Sequence, residues 1–161
     1  MDNSLELYDK VVSLSHELIH HQQLLDCEKN NKDMSVMAYD YTNEIAPIAT
    51  AFCATEFFKS QSMDAHRTKN SFCANINYCQ DYFIDQSDQK NEPELGKLTH
   101  YFGTMTAPFL CDSVCAGDIK LKHLFGVNRS NCVQIFKKLG ATPDRILSSA
   151  KDYILTNDLM I

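Results

Sequence analysis

The stretch from Leu5 to Leu25, LELYDKVVSLSHELIHHQQLL, constrains the fold more than any other, because neither glycine nor proline interrupts it. On a helical wheel Leu7, Val11, Leu14, Leu18 and Leu25 fall on one stripe, and Tyr8, Val12 and Ile19 widen it to one side. The pattern predicts a long amphipathic helix whose leucine stripe packs into a core. His16 and His20, four residues apart, lie on the polar edge of that stripe, and His21 falls inside it.

The rest of the chain extends the same theme. Five glycines and four prolines in 161 residues are too few for a turn-rich β fold and suit long helices with short connections. Pro47 predicts a helix running from Ile48 to about Lys59, capped near Thr42 or Asn43. Ser62-Met63-Asp64 suits the cap of a helix whose stripe is Phe72, Ile76, Cys79 and Phe83. Residues 85–94, DQSDQKNEPE, read as a flexible loop, and Met34 to Tyr41 is open between short helix and extended segment. Pro93 opens a helix carrying Leu95, Leu98, Tyr101, Phe102 and Met105, and Pro108 restarts the chain into a short helix through Cys115, with Gly117 as its C′ residue. Asp118 caps the next segment, which ends at Gly126. Asn128 or Ser130 caps another, which ends at Gly140, and Thr142-Pro143 launches the last. No run of alternating β-branched residues is present. The expectation is an all-α, single-domain bundle of about six to eight helices spanning 1–161.

Composition narrows function by exclusion. With 44% hydrophobic and 22% charged residues the chain is ordinary globular protein, and a net charge of −6 argues against general, non-specific nucleic-acid binding. Seven cysteines, without a CxxC pair, sit mostly in apolar helical patterns and read as buried free thiols in a reducing compartment. The N-terminus lacks a signal-peptide pattern and no run is long enough to span a membrane, so the expectation is a cytoplasmic or otherwise intracellular protein with no membrane partner.

Two strings carry candidate chemistry. His16-Glu17-Leu18-Ile19-His20 reads H-E-x-x-H, in which imidazoles at i and i+4 can grip one zinc ion while the glutamate serves as general base. It resembles zinc-peptidase signatures, a resemblance that implies His16 and His20 as ligands, Glu17 as base and Glu44 or Glu56 as a downstream third ligand. His16, His20 and Gln23 also resemble the DinB-like helical-bundle metal proteins, whose helix carries a histidine pair four apart followed by glutamine. The simpler reading is a partly exposed helix edge, with His21 against the core.

The second string is Ile119 to Gly140, IKLKHLFGVNRSNCVQIFKKLG, which resembles the helix-turn-helix of bacterial regulators. The resemblance implies Leu121, Leu124, Phe125, Val127, Cys132 and Ile135 as packing residues, and Asn128, Arg129, Ser130, Asn131 and Gln134 toward a DNA groove. Between Asp118 and Leu139, Lys120, Lys122, Arg129, Lys137 and Lys138 oppose Asp118 alone, a net of +4, so the remaining chain carries −10. Cys111 and Cys115, flanked by His100 and His123, form a weaker metal-ligand set, for which buried thiols are the simpler explanation. No P-loop, G-x-G-x-x-G or G-x-S-x-G string is present.

The reading that follows is a non-enzymatic intracellular regulator or adaptor without cofactor. It binds a protein or nucleic-acid partner through the basic surface of Lys120, Lys122, Asn128, Arg129, Asn131, Gln134, Lys137 and Lys138. A helix-turn-helix transcription regulator is the sharper form of it. The competing readings are a zinc-dependent hydrolase or metal-binding bundle using His16 and His20, and an oligomer-forming module that uses the surplus apolar helix faces.

Overall fold

The computed structural model describes residues 3–30, 32, 42–57, 69, 72–79 and 95–157, and among them all regular structure is helical, in seven helices. They are α1 (Asn3–Lys29), α2 (Ile45–Phe57), α3 (72–79), α4 (Leu95–Cys115), α5 (Leu121–Leu124), α6 (Cys132–Lys138) and α7 (Pro143–Asn157). The all-α bundle expected from periodicity is the observed fold. The segment 34–41, the cap at 62–64, Phe83 and the loop 85–94 lie outside the described residues.

The organising element is α2, not α1. Every residue from Ile45 to Cys53 is buried, and α2 packs between α1 and α4 while α7 lies against α4. Such a helix, apolar all round, has to sit at the centre of a bundle. Phe52 joins three elements, with ring centroids 4.9 Å from Phe72 of α3 and 4.3 Å from Tyr153 of α7.

Two local expectations are corrected. Pro108 does not restart a helix: α4 runs through it from Leu95 to Cys115. An internal proline costs about 3 kcal/mol, but Gly103 to Cys111 are buried without a break, and that burial outweighs the lost hydrogen bond. The Thr106 hydroxyl donates to the carbonyls of Phe102 (2.8 Å) and Gly103 (3.2 Å) in the preceding turn. The second correction is to α1. Its leucine stripe faces solvent, with Leu14 57%, Leu18 55% and Leu25 44% exposed, while Val12 and Ile19 are buried against the bundle at 7% each. His21 is exposed as well, and His16, His20 and Gln23 turn inward beside Ile19.

The later turns follow the expected glycines. Gly117 (φ 82°) and Gly140 (φ 63°) adopt the left-handed conformation that ends a helix. Thr142 caps α7, its hydroxyl accepting from the Arg145 backbone N–H at 3.2 Å. Asp118 caps nothing, since α5 starts after Lys120 and has no side-chain cap.

Candidate metal centre

Three side chains from two elements converge beside α2. His16 and His20 stand one helical turn apart on the inward edge of α1, and Glu44 lies immediately before α2. The two Nε2 atoms are 3.1 Å apart, and Glu44 Oε2 lies 3.5 Å from His16 Nε2 and 3.3 Å from His20 Nε2. From α4, His100 Nε2 approaches the other carboxylate oxygen, Oε1, at 3.6 Å. Glu44 Oε2 is buried and accepts no hydrogen bond of good geometry among the described residues, although two ring nitrogens lie 3.3 and 3.5 Å from it. An orphaned buried carboxylate oxygen is costly. A cation shared by the three donors would satisfy it.

The spacing fits such a cation. Zinc bound to nitrogen or oxygen at about 2.0–2.1 Å in tetrahedral geometry places its ligands about 3.3–3.4 Å from one another. The three observed separations, 3.1, 3.3 and 3.5 Å, bracket that edge length.

Gln23 fixes the imidazole of His20. Its side-chain nitrogen donates to the Asn43 carbonyl at 2.9 Å, which leaves its oxygen to accept from His20 Nδ1 at 3.0 Å. With the proton on Nδ1, neutral His20 presents the lone pair of Nε2 to Glu44 and His16. This is the tautomer a metal ligand needs, held by a partner of the kind that commonly supports one. The same glutamine ties α1 to the residue preceding Glu44.

The groups of the cluster shift one another's titration. The Glu44 contact raises the pKa of His20 against the effect of burial. Burial lowers that of His16 despite the Glu44 charge. Burial pushes the Glu44 carboxyl up, but the His20 contact and the charges of His100, His20 and His16 more than reverse this, leaving it below the usual carboxylate range. The site opens to solvent on the α4 side, where the His100 side chain is 59% exposed.

Glycine at position 103 allows the cluster to close. A Cβ there would meet the Glu44 carbonyl oxygen at 2.7 Å and Ile48 Cδ1 at 2.8 Å, so α4 reaches α2 only because position 103 lacks one. Gly103→Ala gains up to about 1 kcal/mol of helix propensity. Overpacking against backbone costs about 1–3 kcal/mol. The expected result is a net loss of stability by urea unfolding.

The other singled-out residues fall elsewhere. Glu17 is exposed on α1, close enough for its charge to act on both His16 and His20. Glu56 pairs with Lys69 at 3.3 Å, away from the cluster. Cys111 is buried, and contact with Cys53 followed by burial pushes its thiol far up, while Cys115 and His123 are exposed, so no four-ligand site forms there.

In 118–140, Leu124, Val127 and Cys132 are buried as packing residues, and Leu121, Phe125 and Ile135 lie partly buried against the core. The first helix of the hairpin is a single turn. Asn128 and Asn131 build the turn itself. Both side-chain amides donate to the Gly126 carbonyl (3.0 and 2.8 Å), and Asn131 Oδ1 accepts from the Asn128 backbone N–H. Lys120, Lys122, Arg129, Gln134, Lys137 and Lys138 are exposed.

Sequence reasoning identified His16, His20 and Gln23 and placed Glu44 among two alternatives, but it missed His100 as their neighbour. Its only signal was its residue type. No protein-family model matches this chain, and no curated protein or solved structure matches it either.

Proposed function

We propose that this protein is a metal-binding helical bundle that holds one divalent transition-metal ion, zinc in the first instance, on His16, His20 and Glu44. The observation that carries the reading is the donor spacing: three nitrogen and oxygen atoms separated by about the edges of a tetrahedron, including a buried carboxylate oxygen with no hydrogen bond among the described residues. Three protein ligands leave one coordination position for water or substrate, the arrangement of hydrolytic rather than structural zinc. His100, at the exposed rim, is placed to contact whatever occupies that position. Glu17, adjacent to His16, is the residue to test as proton acceptor.

The test is metal analysis of protein purified without chelators and reloaded with zinc. About one ion per chain is expected, with none retained by His16→Ala/His20→Ala. Wild-type protein that takes up no zinc after reloading would refute the proposal. In a hydrolase, Glu17→Ala would retain the ion and lose turnover.

A second reading, a protein- or DNA-docking surface over 118–140, draws support from the exposed cations Lys120, Lys122, Arg129, Lys137 and Lys138. Its support is narrower, because Asn128 and Asn131 spend their side chains on the turn.

A further inference from the structure

Three thiols stand in file outside the metal centre. Cys53 of α2 and Cys111 of α4 are buried in one core cluster, at 1% and 3% exposure. Cys115, about one turn beyond Cys111 on α4, is exposed. The Cys111 thiol contacts Cys53 on one side and Cys115 on the other. Among the described residues only His16, His20 and Glu44 converge as a set of metal donors, so the three sulfurs form a row rather than a cage. A row of thiols suits exchange, in which each sulfur is attacked by the next.

The packing of α2 on α4 accounts for the inner contact. Position 103 lacks a Cβ, and there α4 comes down on α2 at Glu44 and Ile48. About two turns further along each helix stand Cys111 and Cys53. Close approach through a glycine brings facing residues toward the Cα separation of about 4.4–6.8 Å that a disulfide needs.

Access decides the order of events. Contact with Cys53, then burial and the Glu56 charge, hold the Cys111 thiol protonated, and the core shields it from reagents. Cys115 is the exposed member, so a small-molecule disulfide meets it first. Its thiol is raised as well, by partial burial before the charges of its neighbours, so mildly alkaline pH favours the reaction.

The exchange then runs inward. Cys115 attacks the small disulfide, forming a mixed disulfide and releasing one small thiol. Cys111 attacks the Cys115 sulfur and releases the second. The Cys111–Cys115 bond is strained, because Cβ atoms one turn apart on a helix stand about 5–6 Å from each other, whereas a disulfide needs about 3.5–4.5 Å. Strained disulfides are the labile ones. Cys53 attacks Cys111, and Cys115 leaves as a free thiol. In each step the proton of the attacking thiol passes to the sulfur that leaves. The sum is two protein thiols oxidised and one small disulfide reduced to two thiols.

We infer that Cys53 and Cys111 form a reversible disulfide joining α2 to α4, loaded by a small-molecule disulfide through the exposed Cys115. The test incubates the reduced full chain with glutathione disulfide at mildly alkaline pH. Samples are quenched in acid at intervals, alkylated in denaturant and mapped by non-reducing proteolysis and mass spectrometry. Wild type is expected to yield a Cys53–Cys111 linked peptide with Cys115 alkylated, and the link should open on adding dithiothreitol. Cys115→Ser, a change at the surface, should reach the same link about tenfold more slowly or worse. Cys53→Ser should keep the modification at Cys115, as the glutathione adduct or bonded to Cys111. A wild-type chain that forms no Cys53–Cys111 link, or a link that forms equally fast in Cys115→Ser, would each overturn the inference.

Discussion

Zinc added to the chelator-stripped chain at about a thousand times its Kd should stabilise the fold by about 4 kcal/mol. For a domain of this length that corresponds to a rise in Tm of about 8–16 °C. Glu44→Gln keeps the side chain's volume but removes its charge, so the shift should vanish in that variant while the metal-free protein still melts cooperatively. Gln23→Ala should leave a smaller shift, because losing the group that orients His20 weakens metal affinity about 10–100-fold. An unchanged Tm in wild type on zinc addition would argue against the centre directly.

The pH dependence of the metal-free chain follows from the same cluster. Glu44 has a folded pKa below its unfolded value of 4.5, so its stabilisation is present above that value and is lost as pH falls through the folded pKa. His16, lowered from 6.5, acts in the same direction, stabilising above 6.5 and losing that contribution as pH falls. His20, raised from 6.5, acts oppositely: its contribution is complete below 6.5 and is lost as pH rises through its folded pKa. The two histidines therefore act in adjoining windows, His20 weakening the fold as pH rises above 6.5 and His16 as pH falls below it, and Glu44 adds a further loss at more acid pH. Urea midpoints of the metal-free protein should drop there, and Glu44→Gln should flatten the drop. With zinc present the dependence should steepen, since both imidazoles must shed protons to bind.

Phe52→Ala should be the most damaging single truncation, at about 3–5 kcal/mol. Phe52 is 1% exposed, and its ring meets Phe72 of α3 and Tyr153 of α7, so its loss leaves a cavity where three helices join. The measurement is urea unfolding at fixed pH. Zinc affinity of the folded variant should change little, because Glu44 is held from the other side, by Gly103 of α4 and by the link from Gln23 to Asn43. A variant that loses stability and zinc in proportion would mean that the centre depends on the whole core rather than on its local supports.

Much of the fold was legible from local rules. Gly117 and Gly140 take the left-handed conformation, and Thr142 caps α7 at Pro143, because glycine and hydroxyl chemistry act within a few residues. The H-E-x-x-H spacing likewise brings His16 and His20 together through the pitch of one helix. Continuity through Pro108 was not legible, since the penalty is local and the burial that outweighs it comes from neighbouring helices.

For this chain, the amino-acid order by itself determined that it is helical, where several helices stop, and that two imidazoles share one edge of α1. Tertiary structure decided which side of α1 faces inward. Two apolar stripes run along that helix, and periodicity cannot rank them. The bundle buries Val12 and Ile19, and the same side brings the imidazoles to Glu44 and Gln23 to the Asn43 carbonyl, while Leu14, Leu18 and Leu25 stay exposed. The meeting of Glu44 with His16, His20 and His100 joins residues far apart in the chain, and only the packing of α1 and α4 on either side of α2 sets those distances.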